Sequence, residues 1–132
     1  MTIQVSQAIL DQMIQYSKDE LPNESCGYLS GIESVVQDIY PMTNIDASPE
    51  HFSFDPKEQF AAMKSAREKQ ATLVACYHSH PSTPARLSDE DLRLLKDPNM
   101  IYIIVSLKDE QPNVKAFQIK DEIITSIEIV VD

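Results

Sequence analysis

The chain has 132 residues, 42% of them apolar, and its 11 Lys+Arg against 21 Asp+Glu give a formal charge of −10. That supplies one core, so a single domain over residues 1–132 is expected, and a (β/α)₈ barrel of roughly 200 residues or more is excluded. A surface this acidic repels phosphate backbones and anionic lipid, so no nucleic acid and no membrane is expected as a partner.

The opening Met1-Thr2-Ile3-Gln4 carries neither a basic segment nor an apolar stretch of the export type. The longest apolar run, Ile101 to Leu107, falls far short of the ~20 residues of a membrane span. A cytoplasmic protein is expected, with Cys26 and Cys76 as free thiols. Thr2 to Val5 has extended character. Ser6 then offers an N-cap, and Ile9, Leu10, Met13, Ile14 and Ser17 recur at helical spacing until Leu21-Pro22-Asn23. Gly27 to Gly31 and Val35 to Tyr40 read as a β-hairpin across Ile32-Glu33-Ser34. The two glycines are expected to let a strand bend or pack closely.

Met42 to His51 is polar and irregular, and the alternation in Phe52-Ser53-Phe54 suggests a short strand. Asp55-Pro56-Lys57-Glu58 is a strong helix start, with Asp as cap, Pro at the first position and Glu closing a capping box. Phe60, Met63 and Ala66 are the expected buried face of that helix, which runs to about Lys69. Ala71 to Tyr77 is an apolar strand followed by a proline-containing loop. Ser88-Asp89-Glu90-Asp91 is a second capping box, opening a short helix that Pro98 stops. Met100 to Leu107 is continuous enough for a strand buried on both faces. Val114 to Ile119 and Ile123 to Val131 finish as strands, the last alternating one face in and one out. The fold class is α+β: a central mixed, mainly antiparallel sheet flanked by helices.

Two of the three histidines stand in His78-Ser79-His80-Pro81. Residues i and i+2 of a strand project from one face, so both imidazoles enter one space. Six residues after Pro81 comes Ser88, and Asp91 follows three later. A carboxylate in that first helical turn would complete a two-histidine, one-carboxylate set, which zinc accepts tetrahedrally with a fourth position open. The residues alone leave alternatives open. Two histidines can form a surface pair, Asp91 and Ser88 can act only as helix caps, and Glu24 can be an exposed acid after a turn. His51, beside Phe52, is read as structural or exposed. Cys26 and Cys76 lack a C-x-x-C pairing and are read as buried small hydrophobes.

Glu24, then His78-Ser79-His80-Pro81, six residues, Ser88 and Asp91 resembles the JAMM (MPN-plus) zinc metalloprotease signature, E…H-x-H-P-x(6)-S-x-x-D. Glu24-Ser25-Cys26-Gly27-Tyr28-Leu29-Ser30-Gly31 is similar to the family's stretch around its upstream glutamate. The segment from Tyr77 to Arg86 is close to stand-alone prokaryotic members, and the likeness covers roughly Val5 to Leu107. Ala75-Cys76 departs from it, since many relatives carry a glycine there.

The resemblance implies a cytidine-deaminase-like JAMM/MPN fold with Zn²⁺ on His78, His80 and Asp91. It further implies Glu24 as acid/base for an attacking water and Ser88 as donor to the oxyanion. The implied substrate is a ubiquitin-like or sulfur-carrier protein, cut after its Gly-Gly tail to release a group such as cysteine. Such a tail would dock by strand addition to an edge strand near the metal. The alternatives are a non-catalytic scaffold of the same fold and a cell-wall or phage-associated peptidase. A zinc deaminase would need H-x-E with P-C-x-x-C, and a zincin H-E-x-x-H; none of these occurs.

Overall fold

The computed structural model describes residues 1–132. In chain order the elements are β1 (Thr2–Val5), α1 (Gln7–Asp19), β2 (Cys26–Ile32), β3 (Val35–Met42), α2 (Pro56–Glu68), β4 (Thr72–His80), α3 (Asp89–Leu94), β5 (Ile101–Ser106), β6 (Asn113–Lys120) and β7 (Ile123–Val131). No helix is long and apolar enough to cross a membrane. The N-caps read from sequence are made, but Glu58 closes no capping box, because its carboxylate accepts from the Thr43 N–H and hydroxyl instead (2.7 and 2.9 Å). Ser6 accepts from the Ile9 N–H, Asp55 from the Lys57 N–H, and Ser88 from the Asp91 N–H.

The α+β content and mixed strand directions are as expected, but in place of a mainly antiparallel sheet flanked by helices the strands form a mixed sheet closed on itself. It closes in the order β1-β3-β2-β4-β5-β6-β7. β1 runs parallel to both β3 and β7, and β4 runs parallel to β5; the other ladders are antiparallel. Closure follows from β1, whose four residues pair along β7 while Gln4 also registers with Val35 of β3. Strands beside the site therefore have no open edge, since β4 is paired by β2 on one side and β5 on the other. Strand addition to β4 is thus ruled out as the docking mode.

The barrel wall separates two apolar regions. One joins Ile9 and Met13 of α1 to Leu29, Ala75, Tyr77, Ile103 and Val105. The other joins Cys26, Tyr28, Cys76 and Tyr102 to Ala62 of α2 and to Leu92 and Leu95 around α3. Every residue of β5 is buried, as a continuous apolar run between two cores requires. β7 departs from its expected alternation: only Ile127 is buried, with Ile129 partly buried against the same core.

α2 is rotated from the sequence expectation. Ala62 and Ala66 are buried, whereas Phe60 is 67% and Met63 44% exposed. Small side chains seat this helix on the wall, and polar ties fix its rotation: Gln59 Nε2 donates to Tyr28 Oη (2.7 Å), and the Tyr40 and Ser65 hydroxyls lie 3.1 Å apart. Phe52-Ser53-Phe54 forms no strand. Its β character is a single bridge between Phe54 and Asn44. Both glycines stand where a side chain has no room. A Cβ at Gly27 would lie 2.3 Å from Tyr77 Cε2, and one at Gly31 would lie 2.0 Å from the Val35 carbonyl oxygen.

Candidate metal centre

The site forms where the end of β4 meets the start of β2 and the N-terminus of α3. Cys26 registers with His78 across the β2–β4 ladder, which brings Glu24 to the histidine end of the wall. Serines clamp this junction. The Ser25 N–H donates to Ser79 Oγ (2.8 Å), the Ser79 N–H donates to the Ser25 carbonyl, and Ser25 Oγ lies 2.8 Å from Ser17 Oγ of α1. These serines face away from the chemistry and were not singled out from sequence; only their alternation with the site residues could have flagged them.

His78 and His80 do project to one side. Their Nε2 atoms are 3.1 Å apart, and Asp91 Oδ2 lies 3.2 Å from the first and 3.1 Å from the second. All three residues are buried, and they form the one group of three or more His, Cys, Asp or Glu side chains able to share an ion. Tetrahedral zinc with bonds of about 2.0–2.1 Å separates its ligand atoms by roughly 3.3–3.4 Å, so this donor triangle fits with little adjustment.

The chemistry of the donors fits as well. His80 Nδ1 lies 2.9 Å from the Pro84 carbonyl, which can only accept, so Nδ1 carries the proton and Nε2 presents its lone pair. Burial pushes the His78 imidazole below its ordinary value and favours the neutral, ligating form. Burial works against the Asp91 carboxylate, but in the metal-free chain a proton carried on imidazole Nε2 beside it, together with the Ser88 N–H, outweighs burial and holds the group far below the usual range.

Asp91 serves two structures at once. The Ser88 N–H donates to Asp91 Oδ2 (3.0 Å) while the Asp91 N–H donates to Ser88 Oγ (3.0 Å), closing the capping box. The Ser88 hydroxyl accepts in that exchange, so its own hydrogen is available to a substrate oxygen.

Glu24 is 6% exposed and shares with Asp91 a cavity of about 210 Å³, also lined by His51, Phe52 and Glu90. Burial is the main cause that pushes its carboxyl from 4.5 up to about 8; His80 opposes the shift, and Asp91 and Glu90 add like-charge repulsion. In the metal-free protein such a carboxyl holds a proton near neutrality; a cation held beside it would favour the ionised form, which is the form able to accept one. Size does not mark this cavity. A cleft of about 520 Å³ between α3 and the β6–β7 turn is larger but gathers no metal-ligating triad.

Three further residues organise the site and were not read as functional. Asn44 is buried; its Nδ2 donates to the Glu24 and His51 carbonyls (3.0 and 2.9 Å), and its Oδ1 accepts from the Asp46 and Ser53 N–H groups (3.1 and 3.2 Å). The loop after β3 thereby hangs on the backbone of Glu24. His51 is exposed, as expected, yet its Nδ1 pairs with the Glu90 carboxylate at 2.7 Å, tying that loop to α3. Phe52 lies flat against His78, with ring centroids 4.7 Å apart. Cys26 and Cys76 are free and buried, and burial pushes the Cys26 thiol up to about 12.

Comparison with known proteins places this architecture. Residues 6–120 match the family of prokaryotic homologs of the JAB domain. The CysO-cysteine peptidase of Mycobacterium tuberculosis is 29% identical over 120 residues, covering 89% of this chain and 82% of that protein. The desampylase of Pyrococcus furiosus is 34% identical over 87 residues, covering 66% of this chain and 62% of that one. The solution structure of a protein from Desulfitobacterium hafniense superposes with a TM-score of 0.92 at 40% identity, covering 99% of this chain and 93% of that one. With the family match spanning most of its length, the chain belongs to the prokaryotic JAB-domain homologs, the JAMM/MPN family, as a hydrolase of that type.

Proposed function

We propose that residues 1–132 act as a single zinc-dependent peptidase or isopeptidase domain, cutting the bond after the Gly-Gly tail of a ubiquitin-like or sulfur-carrier protein. The observation that carries the reading is the convergence of His78 Nε2, His80 Nε2 and Asp91 Oδ2 to within 3.2 Å of one another beside a buried carboxyl. The substrate class rests on the relatives, a CysO-cysteine peptidase and a desampylase by name. A cytoplasmic setting agrees with two buried, unpaired thiols.

His78, His80 and Asp91 would hold the ion. When bound, zinc supplies Lewis acidity: it polarises the scissile carbonyl and lowers the pKa of water from 15.7 towards 7. Glu24 takes the proton from the attacking water and returns it to the nitrogen of the leaving amine, a service worth about 10²–10⁴-fold. Ser88 donates its hydroxyl hydrogen to the oxygen that gains negative charge as the carbonyl is attacked.

The experiment mixes the zinc-loaded chain with a carrier extended by one or more residues beyond Gly-Gly and follows intact mass. Trimming back to Gly-Gly is expected, with loss of turnover in Glu24→Gln. Cleavage by Glu24→Gln at the wild-type rate would remove the mechanism. Tight carrier binding with no zinc uptake and no cleavage would establish a scaffold instead.

A further inference from the structure

The two histidines of the triad are held by different means. His80 is fixed through Nδ1, which donates to the Pro84 carbonyl at 2.9 Å. His78 is fully buried, yet its Nδ1 has no hydrogen-bond partner. A metal-binding histidine almost always donates that second N–H to a carboxylate, carbonyl or water, which sets the plane of the ring. Rotation about the bond to the imidazole is otherwise broad, so an untethered ring can turn its lone pair away from the other donors.

At His78 the tether is a ring. Phe52 stacks on it with centroids 4.7 Å apart and planes 22° from parallel. Phe52 is itself braced edge-on by Phe54 (5.5 Å, 78°), and Phe54 stacks on Tyr28 (4.7 Å, 25°). The Tyr28 hydroxyl accepts from Gln59 of α2 at 2.7 Å. A ladder of four rings therefore runs from α2 to the candidate ligand, crossing the loop that Asn44 holds to the Glu24 backbone.

We propose that Phe52 is a positioning residue for the metal centre: its ring sets the plane of His78 by stacking, as the Pro84 carbonyl sets that of His80 by hydrogen bonding. A flat neighbour at this distance leaves the imidazole no room to rotate about its own bond. It also favours the ligating state, because an imidazole that has given its lone pair to a cation carries partial positive charge, which the face of an aromatic ring attracts. Leucine at position 52 would fill much of the same space but offer neither a flat face parallel to the imidazole nor that attraction. The inference rests on the triad being a metal site, and its test separates the two.

The test measures Zn²⁺ affinity of the full chain by competition with a chromophoric chelator, and the visible absorption of the Co²⁺-substituted protein. Phe52→Leu is expected to bind Zn²⁺ about 10- to 100-fold more weakly, the loss typical of removing a ligand's supporting contact, and to shift the Co²⁺ bands. Phe52→Tyr, which keeps the ring, is expected to restore both. Phe54→Leu leaves the His78 contact in place and is expected to change them less. Should Phe52→Leu fail to fold, the ring-current displacement of the His78 proton resonances, compared between wild type and Phe52→Tyr, reads the same stacking. Wild-type affinity and an unchanged Co²⁺ spectrum in Phe52→Leu would overturn the proposal, as would equal losses in Phe52→Leu and Phe52→Tyr. A wild-type chain with no Zn²⁺ affinity would overturn the metal reading itself.

Discussion

Glu24→Gln should cost activity while stabilising the metal-free protein, and the stabilisation should grow with pH. The Glu24 carboxyl is almost wholly removed from water, and burial, opposed by His80 and helped by Asp91 and Glu90, pushes it from 4.5 to about 8. Below pH 4.5 both the folded and unfolded chains carry the proton, so the group contributes no difference. Between 4.5 and 8 the folded chain keeps a proton that the unfolded chain has released, so stability falls as pH rises, by about 1.4 kcal/mol per pH unit. Across that window the cost accumulates to the order of several kcal/mol, and above pH 8 it levels off. Glutamine has the same shape and never ionises.

The assay is urea unfolding of chelator-treated wild type and Glu24→Gln at pH 5, 6.5 and 8. The depressed Asp91 carboxyl has the opposite sign, contributing stability that is lost as pH falls. It is present in both proteins and largely cancels in the difference. The variant's advantage should be under about 1 kcal/mol at pH 5 and largest at pH 8. Stability curves that run parallel across this range would refute a buried, proton-holding Glu24.

Ser88→Ala should lower turnover by about 10²–10³ if the hydroxyl serves the oxyanion, and lower stability by only about 1 kcal/mol for the lost cap; kcat and thermal unfolding measured together separate the two effects. Asn44→Ala removes four hydrogen bonds, two donated to the Glu24 and His51 carbonyls and two accepted from the Asp46 and Ser53 N–H groups. It should destabilise by about 1–3 kcal/mol and speed amide hydrogen exchange across residues 44–54. Tyr77→Phe should be neutral or slightly stabilising in urea unfolding, since the Tyr77 hydroxyl is buried without a partner and costs desolvation for nothing gained.

Much of the site could be read from spacing because its pieces are local. His78 and His80 share a face by the two-residue period of a strand, and Ser88 meets Asp91 through the capping box of one helical turn. Residue order also located β5 and the hairpin of β2 and β3. It could not orient α2. Phe60 and Met63 have helical spacing with Ala66, yet the wall they would have faced accepts the small Ala62 and Ala66. The Phe52-Ser53-Phe54 alternation suggested a strand that does not form, and it gave no sign of the use of the Phe52 ring, because the partner is a histidine 26 positions away.

On its own, then, the amino-acid order determined which short segments become strands and capped helices, and which donor types stand at ligand spacing. Each of those follows from forces acting within a few residues. Tertiary structure alone decided that β1 closes the sheet and leaves β4 no free edge. It also decided that the Asn44 loop folds over the site, that Glu24 loses its water, and that Phe52 meets His78. Those outcomes depend on contacts between distant segments, where burial and packing choose among partners that no local period distinguishes.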